Sequence, residues 1–231
     1  MRGKNQDGKW VEPFDPRNSQ HNKAEYTEGN AFQWSWFVPH DVEGLVELVG
    51  GTEKFSEKLD TLFSTSSDLT GEDISSDITG LIGQYAHGNE PSHHIAHMYN
   101  YVGKSWKTQE LANGIMSDLY FNNPNGLAGN EDCGQMSAWY VLNAMGFYSF
   151  CPGEPVYSIG RPVFGKVEIK LQNGKVFTIV ANNNSPENLY IQSVKLNGVQ
   201  QNKPFFAHED ILLGGVLEFE MGAKPNKELF N

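Results

Sequence analysis

Disulfides, membrane spans and basic charge are all scarce in this sequence. Its 231 residues include two cysteines, Cys133 and Cys151, too few for a disulfide scaffold. The two could pair with each other, and their spacing leaves that open. No run of about 18 apolar residues occurs, so no segment is predicted to span a membrane. The N-terminal stretch MRGKNQDGKW lacks the apolar core of a signal peptide. That fits either a cytoplasmic protein or a chain whose true start lies upstream. Basic residues number 17 against 28 acidic ones, a net charge of −11. This balance argues against a nucleic-acid backbone as partner. It suits a neutral ligand, or a cation held by carboxylates. Several catalytic signatures are missing as well. There is no G-x-S-x-G, no phosphate loop and no dinucleotide fingerprint. Cys133 follows Asp132, whose charge would raise a thiol pKa, so a cysteine nucleophile is not supported.

What is present is aromatic. Phe, Trp and Tyr make up 12% of the chain, too much for a disordered segment. Apolar residues recur at helical spacing before residue 150 and alternate after it. Helices are predicted over 39–49, 52–63, 92–101, 105–120 and 135–145. Gly50-Gly51 should stop the first, Thr52 should cap the second, and Gly146 should end the last. Between them lie loops rich in glycine and asparagine at 17–31, 64–90 and 121–134, and loops this long are often functional. Beyond Cys151-Pro152-Gly153-Glu154-Pro155, strands are predicted over 165–171, 176–181, 189–196 and 215–221. Asn173-Gly174 and Asn197-Gly198 are hairpin turns. The reading is α+β: a helical part over 1–150, then antiparallel β-structure over 151–231.

Three loops share one design. Tyr26 to Trp34, Gln84 to His94 and Gly126 to Tyr140 each place a carboxylate beside Gly and Asn, just before a helix, with aromatics close by. Any one of these acids reads most simply as a helix cap. Three in one short helical region point to a pocket. The composition fits carbohydrate: aromatic faces stack on sugar rings, amides and carboxylates bind hydroxyls, and two carboxylates can serve as acid and base. His93 and His97 have the i, i+4 spacing of a zinc pair, but His94 stands where HExxH needs Glu, and no Cys/His cluster completes a site. Oxygen ligands around Asn89 and Glu90 suit calcium better.

At these loops the sequence resembles the glycoside hydrolase family 92 α-mannosidases. The matching stretches are YTEGNAFQWSWFVPHDVEGL (26–45), GQYAHGNEPSHHIAHMYNY (83–101) and GNEDCGQMSAWYVLNAMGFYSFCPGEPVYSIGRPVF (129–164). The tail from Gly165 to Pro225 resembles the family's closing β part. The resemblance implies a larger protein, with an N-terminal β-sandwich domain followed by an (α/α)6 toroid. This chain would then be a C-terminal portion, about five helices of a partial toroid and the β region. It also implies export, to the periplasm or outside the cell, and a role in degrading N-glycans.

The implied activity is calcium-dependent, exo-acting, inverting hydrolysis of α-mannosides, α-1,2 linkages among them. Carried over by position, Glu28 would be the general acid and Asp132 the base that activates water. Asn89 and Glu90 would contact both substrate and calcium, and Asn130 and Gln135 would contact substrate. Many relatives carry an acid where this chain has Asn130. Inversion needs carboxyls about 6.5–9.5 Å apart, with a water between base and sugar. The aromatic segment after Glu28 is expected to desolvate it, and Asp132 to stay open to water. The alternative is a carbohydrate-binding remnant without turnover.

Overall fold

The computed structural model describes residues 1–230. They form two compact units that interleave in sequence, residues 1–95 with 119–136 and residues 96–118 with 137–230. The composition shift near residue 150 marks the change from helix to strand, not a border between these units.

In the first unit, α1 (Ala31–Trp34) is a single turn, held at its N-terminal end by side-chain hydrogen bonds. Asn30 accepts from the Gln33 N–H, and the Gln33 side chain accepts from the Asn30 N–H, a reciprocal capping box. Asp41 caps α2 (Val42–Val49) through the Gly44 N–H at 2.9 Å, and Gly50 ends it in the left-handed conformation at φ 104°. α3 spans Thr52–Ser64. Gly51 occupies its cap and Thr52 is its first helical residue, one step from the predicted start. Phe55, Leu59 and Leu62 form its buried face, with Trp36 edge-on to Phe55 at 5.3 Å. A short hairpin follows, β1 (Leu81–Ile82) and β2 (Tyr85–Ala86).

The predicted helix over 92–101 winds differently. Glu90–Ser92 is a 3₁₀ turn and Ile95–Val102 a 3₁₀ helix. Every residue from Ser92 to Asn100 is buried, so no solvent face is left and surrounding contacts, not propensity, set the winding. α4 (Ser105–Asp118) stops two residues short of its predicted end. Tyr120 instead forms an isolated bridge with Leu127. α5 covers Gln135–Met145, as predicted.

The second unit is built on two sheets. β3 (Phe147–Ser149), β4 (Val156–Ile159) and β9 (Phe205–Ala207) form an antiparallel three-stranded sheet. The five-stranded sheet contains β5 (Lys166–Lys170), β6 (Val176–Asn182), β7 (Tyr190–Leu196), β8 (Val199–Gln200) and β10 (Gly215–Gly222), in the order β5-β6-β10-β7-β8. A short helix, α6 (His208–Leu213), precedes β10. The expectation of purely antiparallel structure needs correcting: β10 runs parallel to β6 and antiparallel to β7. It enters the sheet between them after the excursion through β8, β9 and α6. Its alternation gives the core Leu217, Phe219 and Met221, which join Phe177, Ile179, Ile191, Val194 and Phe206. Glu218 and Glu220 alternate with them on the other face.

Phe219 is fully buried at the centre of this sheet. Replacing it with alanine should cost about 3–5 kcal/mol, a transfer loss plus a cavity. Urea unfolding checks this: an unchanged midpoint for Phe219→Ala would contradict the described core.

Candidate active site

The three sequence-marked loops, up to Met136 in the third, belong to the first unit, and backbone contacts hold them together. The loop before α1 is fixed by Asn30, fully buried. Its Nδ2 donates to Gln84 Oε1 at 3.0 Å and to Ser19 Oγ at 3.2 Å. Trp34 Nε1 donates to the Thr27 carbonyl at 2.9 Å. Between these anchors Glu28 takes the left-handed conformation, φ 52°. A glutamate there is uncommon, and such strain persists only where the surroundings hold it. The Glu28 side chain is exposed, so the aromatic segment does not desolvate it as expected.

The second loop follows β2. Its first glycine, Gly88, has no room for a side chain: a Cβ would run into Thr79 Oγ1 and the Ala128 carbonyl. Gly129, at the head of the third loop, is as tight, since a Cβ there would lie 2.5 Å from the Gly88 carbonyl oxygen. The two loops therefore meet backbone to backbone. One residue on, Asn89 Nδ2 donates to the Glu28 carbonyl at 2.9 Å, tying the first loop to the second.

Beneath the loops lies a hydrogen-bonded network whose protons can be assigned. The Tyr120 hydroxyl donates to the Met136 carbonyl at 3.0 Å, so it accepts from His87 Nε2 at 2.7 Å. His87 Nδ1 must then accept from the Tyr85 hydroxyl at 2.8 Å. His93 Nε2 donates to the His87 carbonyl at 3.0 Å, which leaves Nδ1 to accept from Gln135 Nε2 at 3.1 Å. His94 Nε2 donates to the Trp36 carbonyl at 2.8 Å. Burial keeps these rings neutral, pressing His87 down to about 2 and His93 and His94 to about 4. Gln135, expected against substrate, thus spends one amide N–H on His93. The zinc spacing of His93 and His97 leads nowhere, because His97 engages Ser158 and Asn143 with its two ring nitrogens.

The third loop delivers Asp132 through three successive left-handed residues, Asp132 (φ 44°), Cys133 (59°) and Gly134 (90°), directly into α5. Asp132 is exposed, and Asn130 lies exposed earlier in the same loop. Both thiols are free, Cys133 exposed and Cys151 buried.

Glu90 is where the loops meet electrostatically. Its carboxyl is pushed above the usual range, first by burial and then by the charges of Asp132, Glu28 and Asp77. Its Oε1 is buried and has no hydrogen-bond partner. The structure thus brings Glu28, Asn89, Glu90 and Asp132 into one neighbourhood and adds Asp77. Sequence reasoning missed Asp77 because it sits mid-loop with no aromatic or helix start beside it. Tyr26 Oη and Thr79 Oγ1 are further buried polar atoms without partners. A buried, unbonded carboxylate oxygen among like charges is the environment a hard cation relieves. Among the described residues no three His, Cys, Asp or Glu side chains are arranged to hold a metal ion. An ion at Glu90 would therefore also draw on amide, carbonyl or water oxygens.

The neutral histidines make stability depend on pH. Their folded pKa values lie below the ordinary 6.5, so the unfolded chain binds protons that the folded chain refuses. Stability should fall as pH drops from about 6.5 towards about 4, by up to about 1.4 kcal/mol per pH unit for each histidine. Melting curves across that window test this. A His94→Gln variant should show a shallower slope, and a flat wild-type profile would contradict the assignment.

Comparison with known proteins places these loops in context. The profile of the glycosyl hydrolase family 92 catalytic domain matches residues 1–223. An uncharacterized secreted glycosidase of Arthroderma benhamiae is 33% identical over 208 residues, covering 89% of this chain and 25% of its own length. A family GH92 α-mannosidase from Bacteroides thetaiotaomicron, solved with mannoimidazole, is 40% identical, with a TM-score of 0.91 over 100% of this chain and 31% of its own. A family GH92 inverting mannosidase from the same organism is 37% identical, with a TM-score of 0.84 over 100% of this chain and 32% of its own. The chain thus spans between a quarter and a third of the length of these relatives.

Proposed function

Because the chain belongs to glycosyl hydrolase family 92, we propose that it supplies the acid and base of an exo-acting, inverting α-mannosidase. The substrates proposed are mannose-containing glycans, N-glycans with α-1,2 linkages among them. The observation that carries this reading is the buried, unbonded Oε1 of Glu90, on whose carboxyl the charges of Asp132 and Glu28 both act. Sugar hydrolysis with inversion needs two carboxylates on opposite sides of the scissile bond, with space for water.

In this reading Glu28 protonates the leaving oxygen. The Asn89 bond to its carbonyl holds the strained loop that aims it. Asp132, open to solvent, takes the proton of the attacking water. The neutral network of His87, His93 and Gln135 fixes the start of α5, and with it the Asp132 loop, without adding charge. Asn130 cannot accept that proton, so Asp132 acts as base without a second carboxylate at that position. Asn89 and Glu90 are proposed to hold calcium, supported by the orphaned Glu90 Oε1 and its raised pKa. Calcium, when bound, would grip sugar hydroxyls and favour a distorted ring near the oxocarbenium-like transition state.

The length of the relatives supports a larger protein, proposed to bring an N-terminal β-sandwich domain and the rest of an (α/α)6 toroid. Export is proposed from the secreted fungal relative. No helix of the described residues is long and apolar enough to cross a membrane. The exposure of Glu28 favours a second reading for the chain on its own: it binds sugar without turnover until the remainder encloses the acid.

Two variants of the enzyme that carries this chain test the roles. Glu28→Gln should cost about 10²–10⁴-fold on mannobiose, whose leaving group needs a proton, and much less on an activated aryl mannoside. Asp132→Asn should lose a similar factor on both. Equal losses on both substrates for Glu28→Gln would remove it as the acid and make Glu90 the next candidate. Activity that survives exhaustive chelation would remove calcium.

A further inference from the structure

Among its described residues, the second unit holds a buried cation with no counter-charge beside it. Arg161, just after β4, is 6% exposed. Among the described residues its guanidinium makes two hydrogen bonds, both long, from Nη2 to Asn184 Oδ1 at 3.4 Å and to the Ser185 carbonyl at 3.3 Å. Nε is buried and donates to nothing. Burial alone shifts its pKa, downward, with no carboxylate contributing. Guanidinium nonetheless stays protonated in proteins, so the charge remains. An unpaired buried ion is normally strongly unfavourable, because desolvation is not offset by a partner.

Beside this charge lies a cavity of about 370 Å³, lined by Asn113, Arg161, Val163, Asn184, Ser185 and Pro186. Its walls are fixed independently of any occupant. The backbone N–H groups of Gly160 and Val163 donate to Gly146 and Ala144, bracketing Arg161. Asn184 Nδ2 donates to the Val163 carbonyl at 2.9 Å, which sets its oxygen towards the arginine. α4, which brings Asn113, is tied to β7 by Gln109 Oε1 accepting from the Ile191 N–H at 2.9 Å. The two neighbouring acids are engaged elsewhere: Glu110 accepts from the Tyr190 hydroxyl, and Glu187, fully exposed, accepts from Ser185.

We propose that this cavity is an oxyanion site, in which Arg161 receives a carboxylate or phosphate group of a small ligand and Asn113 donates an amide N–H beside it. The planar guanidinium offers paired donors matched to two oxygens of one anion. The volume is at the lower end of small-molecule sites, enough for an anionic group carried on a ligand of roughly monosaccharide size. All its residues belong to the second unit, and the glycosidase reading uses none of them.

Titration of the chain with acetate and with phosphate, each against chloride at matched ionic strength, tests it. The Arg161 Nε–H resonance should shift saturably, and the folding constant should rise about tenfold per decade of ligand above the midpoint. Acetate and phosphate separate a carboxylate site from a phosphate site. Arg161→Gln should lose the response. Asn113→Asp, which supplies the missing charge internally, should be more stable than wild type and indifferent to both anions. That variant keeps the test decisive if Arg161→Gln does not fold. Glu187→Gln should respond as wild type does. A non-saturating rise shared equally by wild type and Asn113→Asp would overturn the proposal. So would loss of stability and of response in Glu187→Gln, which would make Glu187 the counter-ion.

Discussion

Backbone pressed against backbone at Gly88 and Gly129 is the contact on which the candidate site depends. Neither position has room for a Cβ, and the residues that follow them carry the chemistry. Gly88 leads into Asn89 and Glu90, and Gly129 into Asn130 and Asp132. The contact brings two acidic loops closer than their charges favour, and Asn89 then draws in a third through the Glu28 carbonyl. A rigid base is needed to hold such an arrangement. The network of Tyr85, His87, Tyr120, His93 and Gln135 provides one whose donors and acceptors match. Its histidines are neutral because burial forbids their charge, so they order the loops without cancelling the negative field above them.

That field is the chemical asset. Glu90 sits half-buried with one oxygen unbonded and feels Asp132, Glu28 and Asp77. Left alone, the arrangement is unfavourable. A cation or sugar hydroxyls placed against Glu90 would relieve that repulsion and desolvation. The left-handed backbones of Glu28 and Asp132 fit this picture, since strain concentrates where side-chain direction matters more than stability.

The sequence revealed the elements more readily than their relations. α5 was readable to the residue because Gln135 opens a clean apolar run and Gly146 ends it. The segment over 92–101 was not, because burial on all sides erases the polar face that periodicity detects. The parallel pairing of β6 and β10 was equally hidden: alternation marks a strand but carries no information about its neighbour's direction. At the site, Glu28, Asn89, Glu90 and Asp132 stood out through their Gly/Asn-rich settings. Asp77 did not, nor did the structural use of His87 and His93, since those depend on which groups meet in space. Nothing in the sequence distinguishes Arg161, and only its burial without a carboxylate gives it meaning.

The central claim is that the Glu28 and Asp132 loops serve one inverting hydrolysis. The anomer first released decides it most directly, followed by proton NMR as the complete enzyme cleaves an α-mannoside. Water activated by Asp132 must attack opposite the leaving group, so β-mannose should appear first and mutarotate later. Initial release of α-mannose would contradict the account, because it would require a covalent intermediate that these residues are not assigned to form.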